Sequence, residues 1–299
     1  MNWDINSEQN SDANIRFLSA RKTIFSPCNF WVGASFVISV IFALCAIFTP
    51  ADAKELANVW AILTLAYSLF EVGYIDRLIS KGSSRCAGLA EEFDCNVFGI
   101  ERNLNFTKED SDHTINTLSS KLNAEKRNAL KNWYSNKLGN VPKPVAALIA
   151  QYTSTAYDHG LREHYLKILR IVLITLVVAI LAYILYEDQK FRGSIVAFAV
   201  PFLPILVWLI KAIVANCSLV DDQNAALKLM EEQWELVKLR RLAGDRLYQE
   251  VRDNQDALYC RRTNSTLVFP KLYALYRPNL ESRASQTADR MVTDYLAGA

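Results

Sequence analysis

Histidine, paired cysteine and excess charge of either sign are what this chain has least of. Its 299 residues hold three histidines, His113, His159 and His164. His159 and His164 stand five apart, off a common helix face, so no metal site is expected. The six cysteines, Cys28, Cys45, Cys86, Cys95, Cys217 and Cys260, form no C-x-x-C pair. Their scatter argues against a zinc site or a disulfide framework and fits a reducing compartment for the soluble parts. Lys plus Arg number 33 against 31 Asp plus Glu. That balance gives no support for a DNA or RNA polymer as partner. G-x-x-x-x-G-K-[ST], G-x-G-x-x-G, H-E-x-x-H and G-x-S-x-G are all missing, so no catalytic residue is assigned and no cofactor is expected. No alternating stretch is long enough to require a sheet.

What is present is apolar sequence in four runs. Residues 30–49, 56–75, 168–186 and 193–210 each approach the roughly 20 residues that a helix needs to cross a bilayer. The fourth runs on past Lys211 to Cys217. They come as two close pairs, which predicts two transmembrane hairpins. No secretory signal is read: the first run starts after a charged segment and is not followed by a small-residue cleavage site, so it reads as a retained helix. Of the 33 Lys and Arg, only Lys54, Lys190 and Arg192 lie in the hairpin turns at residues 50–55 and 187–192. The positive-inside rule then places the tails and the central segment in the cytoplasm.

The fold class expected is all-α: an integral membrane protein of four transmembrane helices with a cytoplasmic helical domain. Its parts are an arm (residues 1–29), a hairpin (30–75), a central helical segment (76–167), a second hairpin (168–217) and a C-terminal helical segment (218–299). In the arm, Ile15, Leu18 and Phe25 alternate with Arg16, Arg21 and Lys22. That pattern reads as a helix on the cytoplasmic surface, or alternatively as a contact between subunits. The second span is expected to continue as helix to about Asp94, and residues 156–170 to lead unbroken into the third. The fourth should run on to Arg262, with apolar stripes at Leu229, Leu236 and Ala243 and at Leu227, Met230, Trp234 and Val237. Residues 119–137 read as a charged helix carrying Trp133 and Tyr134. A last helix over 280–297 follows Pro278, with Asn279 as its cap.

Several residues are candidates for function. Thr64, Ser68 and Glu71 fall at i, i+4 and i+7 on the second span, with Tyr67 beside them. Such a stripe can line a pore in an assembly, with Glu71 as a cation-attracting ring; Glu71 can also simply reach the interface. Ser35 and Ser39 offer a small face for close helix contact. Pro201 and Pro204 predict a kink in the fourth span. Glu91, Glu92 and Asp94 read as a salt-bridged surface patch, with a metal or acid–base site as the alternative. Arg261, Arg262, Tyr273 and Arg277 suit a small nucleotide, arginine for phosphate and tyrosine for base, or else cap helices and fill a core.

Four separated blocks then resemble a known family: 91–100 (EEFDCNVFGI), 132–134 (NWY), 151–154 (QYTS) and 261–264 (RRTN), with 268–270 (VFP) and 272–273 (LY) after them. Together with the two hairpins they resemble the SMODS-associated four-transmembrane family of pore-forming effectors, over almost the whole chain. The 91–100 block is the most specific part. The resemblance implies a role in bacterial antiphage defence of the CBASS type. There the partners are a cyclic di- or trinucleotide second messenger, the inner-membrane bilayer and further copies of the chain. The outcome is abortive infection through a pore or a disrupted membrane. A membrane-anchored sensor or interaction module without a pore is the alternative; an enzyme is not expected. The ligand residues named above come from residue chemistry, not from the family.

Overall fold

A computed structural model describes residues 3–49, 53–106, 110–186 and 191–298. Among them the chain is helical throughout, without a strand. The helices are α1 (Ile5–Asn10), α2 (Asp12–Ile47), α3 (Lys54–Phe70), α4 (Asp76–Phe98), α5 (Asp112–Ser120), α6 (Ala124–Asn128), α7 (Lys143–Tyr186), α8 (Phe191–Lys238), α9 (Gly244–Thr263) and α10 (Pro270–Ala297). A π-helical turn, Glu71–Ile75, joins α3 to α4, and a 3-10 turn spans Asn136–Asn140. The expectation of an all-α chain with four candidate membrane spans holds. Four stretches are long and apolar enough to cross a membrane: Asp12–Cys45, Asn58–Phe98, Lys143–Ala182 and Phe202–Lys238. Their outer faces leave Phe30, Ile62, Leu65, Leu69, Ile171, Ile174 and Leu185 bare. Apolar surface of that extent suits lipid rather than water. The hairpin turns at 50–52 and 187–190 lie outside the described residues.

All four long helices outrun the bilayer and end in a second, water-type core. Ile5, Ile15, Phe93, Ile115, Leu138, Leu148 and Ile149 are fully buried there. The start of α7, residues 145–150, is buried on every side, as a helix apolar all round must be. The N-terminal arm does not lie on a surface. α2 runs without a break from Asp12 to Ile47, and Ile15 and Leu18 enter this core. Burying both is worth more than floating them at an interface, at about 25 cal/mol per Å² of apolar area.

Three expected helices are corrected. The helix over 119–137 is instead α5, α6 and a run of turns. Asn123 caps α6, accepting from the Lys126 N–H at 3.0 Å. Asn132 has φ 56°, and Tyr134 is drawn inward, exchanging backbone bonds with the Gln9 amide at 2.8 and 3.1 Å. The fourth span stops at Lys238 rather than Arg262. Arg240 turns to φ 57°, and the Arg241 N–H returns to the Leu236 carbonyl at 2.9 Å, a helix-ending wrap that sends Leu242 into the core. Asn279 caps nothing, because α10 passes straight through Pro278. Pro278 and Ala274 are both exposed, so the carbonyl freed four residues back meets water. α8 also carries through Pro201 and Pro204.

α2 and α4 approach each other closely at Gly82. A Cβ there would stand 2.5 Å from the Cys28 Sγ, close to Ile24 as well. Gly82→Ala should therefore destabilise the fold by about 1–3 kcal/mol. Adding Cys28→Ala should recover much of that, read as thermal unfolding in detergent. An unchanged midpoint in the single variant would mean that the two helices part freely.

Candidate functional site

The water-type core is not purely apolar, and its polar part is concentrated on one face of α4. That face carries Glu91 and Asp94, with side chains only 2% and 5% exposed. The surface patch expected for these carboxylates is thus corrected: two of the three lie inside. Their charges are met from α9. Arg252 donates to Glu91 at 2.7 Å and to Asp256 at 2.5 Å, and to the Glu101 carbonyl at 2.6 Å. Arg262 donates to Asp94 at 2.6 Å. Gln255, between the arginines on α9, bridges Glu91 at 2.7 Å and Asp94 at 3.3 Å. Glu92 is half-buried at the edge of this core and pairs with Arg102 at 2.7 Å.

Two neutral groups close the network. The Tyr134 hydroxyl donates to Asp94 at 2.6 Å. Burial, then the Asp94 charge, push its pKa well up, so it remains a donor. Gln151 on α7 donates to Gln255 at 3.0 Å and to the Val251 carbonyl at 2.9 Å. Burial opposes the charge on Arg262, but Asp94 and Tyr134 outweigh it and hold its pKa above the ordinary value. Arg252 is likewise raised, against burial, by Glu91. Buried charges matched this fully are energetically tolerable; with one partner removed they are not.

The blocks at 91–100, 132–134, 151–154 and 261–264, far apart in sequence, meet here through Glu91 and Asp94, Tyr134, Gln151 and Arg262. Within the first block Phe93, Val97 and Phe98 fill the core. Gly99 ends α4 at φ 66°, a left-handed position that glycine takes without strain.

The membrane-side candidates sit elsewhere. Thr64, Ser68 and Glu71 are half-buried on the face of α3 turned towards the rest of the bundle. The Ser68 hydroxyl is spent on the Thr64 carbonyl at 2.9 Å. Tyr67 packs on Phe42 at 5.6 Å, and the Ser39 hydroxyl is buried without a partner among the described residues. Glu71 opens the π turn, whose signature bond runs from the Asp76 N–H to the Glu71 carbonyl. Lys211 on α8 reaches Asp76 at 3.2 Å and clamps the lower end of that turn.

The four ligand candidates separate into two groups. Arg262 is matched to Asp94. Arg261 has no hydrogen-bond or ion-pair partner among the described residues. Burial and the neighbouring Arg262 lower its pKa, with Asp222 and Asp158 acting the other way. Tyr273 and Arg277 lie together on α10, the guanidinium 6.0 Å from the ring centroid, and Arg277 also pairs with Glu281 at 2.6 Å. Sequence reading missed Arg252, Gln255 and Gln151. Their spacing on α9 and α7 marks a polar helix face, and only the fold shows what covers it. Among the described residues no group of three His, Cys, Asp or Glu is placed to hold a metal.

The family model described as the SMODS-associating 4TM effector domain matches residues 3–291. Comparison with curated proteins and with solved structures finds no match.

Proposed function

Because the chain belongs to the family of the SMODS-associating 4TM effector domain, we propose that it is a ligand-gated membrane effector of CBASS-type antiphage defence. In this reading its termini and helical domain face the cytoplasm of a bacterium, and the spans cross the inner membrane. The cytoplasmic domain senses a cyclic oligonucleotide, and several copies then open a path through the bilayer. The observation that carries the reading is mechanical continuity. α2, α7 and α8 pass unbroken from the apolar layer into the core that holds the charge network. α4 joins that core to α3 through a single π turn. A ligand that binds one arrangement of this core more tightly shifts the population of the arrangement of the spans. The Thr64, Ser68 and Glu71 face of α3 is the proposed lining of the path.

The test is release of ions and dye from liposomes carrying the purified protein, challenged with cyclic di- and trinucleotides. Release with one ligand and not the others is expected. In a channel that opens, Glu71→Gln should reduce cation preference while leaving assembly intact; unchanged selectivity removes Glu71 from the path. The competing reading is an anchored sensor without a pore. It is favoured by one observation, that Thr64, Ser68 and Glu71 face the bundle of their own chain. Correctly inserted protein that releases nothing with any ligand would establish that reading instead.

A further inference from the structure

The link between α9 and α10 touches both cores of the molecule. α9 ends at Thr263 and α10 starts at Pro270, which leaves residues 264–269 outside any helix. At one end, Arg262 is fixed to Asp94 in the water-type core. At the other, Val268, Phe269 and Leu272 pack against an apolar cluster of Tyr165, Leu169, Ile205 and Leu209, built by the candidate membrane spans of α7 and α8. Phe269 stands edge-on to Phe36 of α2 at 5.6 Å and to Trp208 of α8 at 6.2 Å. Phe36 and Trp208 themselves lie 5.5 Å apart. One ring from the link and one from each of two spans thus close a triangle. The middle of the link is fastened by a buried cation, Arg162 of α7, which is 2% exposed. Its guanidinium donates to the Ser265 hydroxyl, to the Thr266 carbonyl at 3.2 Å and to the Thr266 hydroxyl at 3.4 Å. It also donates to Asp158 at 2.8 Å and to Asn216 of α8 at 2.7 Å. The Gln223 amide of α8 donates to the same Asp158 carboxylate at 2.5 Å. From α4, the Ser83 hydroxyl donates to the Ser265 carbonyl at 3.2 Å. The link is therefore tied to α4 directly and to α7 and α8 through Arg162.

A buried arginine is tolerable only while its donors are matched. Three of the acceptors of Arg162 belong to the link, so the link cannot leave without stranding part of that cation. Its bonds are held or lost together, which favours two discrete arrangements over gradual slippage. A stretch of six residues also spans at most about 20 Å, and this one is bonded at its centre as well as at both ends, so it has little slack. We propose that residues 264–269 are a coupling strap. Arg162 latches it, and Phe269 clasps α2 to α8 while the Arg262–Asp94 pair keeps the end of α9 in place. A ligand that displaces the end of α9 unlatches the strap and lets the first and fourth spans part. α9 and α10 are not among the four candidate spans, so the strap gives α9 a route to the bilayer that the unbroken helices do not supply. Its consequence for release rests on the ligand-gated reading, whereas the coupling from Arg262 to Trp208 rests on the contacts alone. Arg162 and Phe269 act here as positioning residues, and neither has to touch the ligand.

The test reads coupling and release separately. The full chain, labelled with 5-fluorotryptophan, is placed in nanodiscs of phosphatidylcholine and phosphatidylglycerol, and the Trp208 fluorine signal is assigned by its loss in Trp208→Phe. Asp94→Asn with Arg262→Met alters the far end of the strap without leaving a buried charge unpaired. The Trp208 signal should shift in that variant, because the ring that stands against the indole moves. With Phe269→Ala already present, the same two substitutions should leave the signal where Phe269→Ala alone puts it. Should the pair unfold early, Ser265→Ala with Thr266→Ala, which removes two acceptors of Arg162, takes its place. A Trp208 signal indifferent to both changes, or moved equally with and without Phe269, overturns the strap. Release is then measured from liposomes of the same lipids with cyclic di-AMP, cyclic di-GMP, cyclic GMP-AMP and cyclic tri-AMP. Phe269→Ala gives up two ring contacts and should raise dye release without ligand roughly tenfold. Phe269→Met, closer in volume, should leak less. Phe269→Ala liposomes as tight as those of a wild type that opens with one of these nucleotides also overturn the strap. A wild type that opens with none of them, together with a Trp208 signal that answers through Phe269, keeps the strap and removes the ligand-gated reading.

Discussion

Arg262→Ala should cost the folded protein on the order of 3–5 kcal/mol, one of the largest effects of any single change in the chain. The substitution leaves Asp94 buried with the Tyr134 hydroxyl and the Gln255 amide as donors and no cation. Two neutral donors do not replace a guanidinium in so dry a setting. Thermal unfolding in detergent should fall by about 10 °C, given roughly 2–4 °C per kcal/mol for a helical body of this size. Asp94→Asn with Arg262→Met removes both charges at once and should melt well above Arg262→Ala. This contrast separates the cost of an orphaned charge from the net value of the pair, which is small or even negative. If Arg262→Ala and the double variant melt together near wild type, Asp94 is solvated and the network is not a buried one.

Inserting one alanine after Phe70 should abolish ligand-triggered release while leaving the protein inserted and folded. The π turn Glu71–Ile75 already holds one residue more than an α-helical turn over the same path. A further residue above it has no slack to enter, so it rotates α3 against α4 by about 100° and shifts it by about 1.5 Å. α4 cannot follow, because Gly82 against Cys28 and Lys211 against Asp76 hold it below the turn. The rotation falls on α3, whose outer face carries Ile62, Leu65 and Leu69 bare. Thr64 and Ser68 leave the face that they occupy. Deleting Gly73 instead closes the π turn to an α turn and keeps the facing of α3, so this variant should release as the wild type does. Release from the insertion at the wild-type level would show that the facing of α3 does not matter to the path. Loss of release in the Gly73 deletion would show that the π turn itself is needed.

The four apolar spans and the helical class were readable because they are local properties. Twenty apolar residues in succession report their own solvent, whatever the rest of the chain does. The blocks around 91–100 and 261–264 were readable as a family signature, but not as a pair. Arg262 meets Asp94 across 168 residues of sequence, and Arg252 meets Glu91 across 161. Nothing in the spacing of either block says which cation faces which carboxylate. The surface reading of Glu91 and Asp94 failed for that reason: a charged residue looks solvated until its partner is known. The helix read over 119–137 failed because Tyr134 answers to Gln9 and Asp94 rather than to its neighbours. Likewise Tyr273 and Arg277 stood beside Arg261 and Arg262 in the sequence, and folding sends the two pairs to different surroundings. The sequence by itself determined which runs are long and apolar enough to cross a bilayer, because hydrophobicity adds up along a chain. Which helix covers which face, and therefore where the charges are matched or left bare, was decided only by tertiary packing, because a partner hundreds of atoms away along the backbone leaves no local trace.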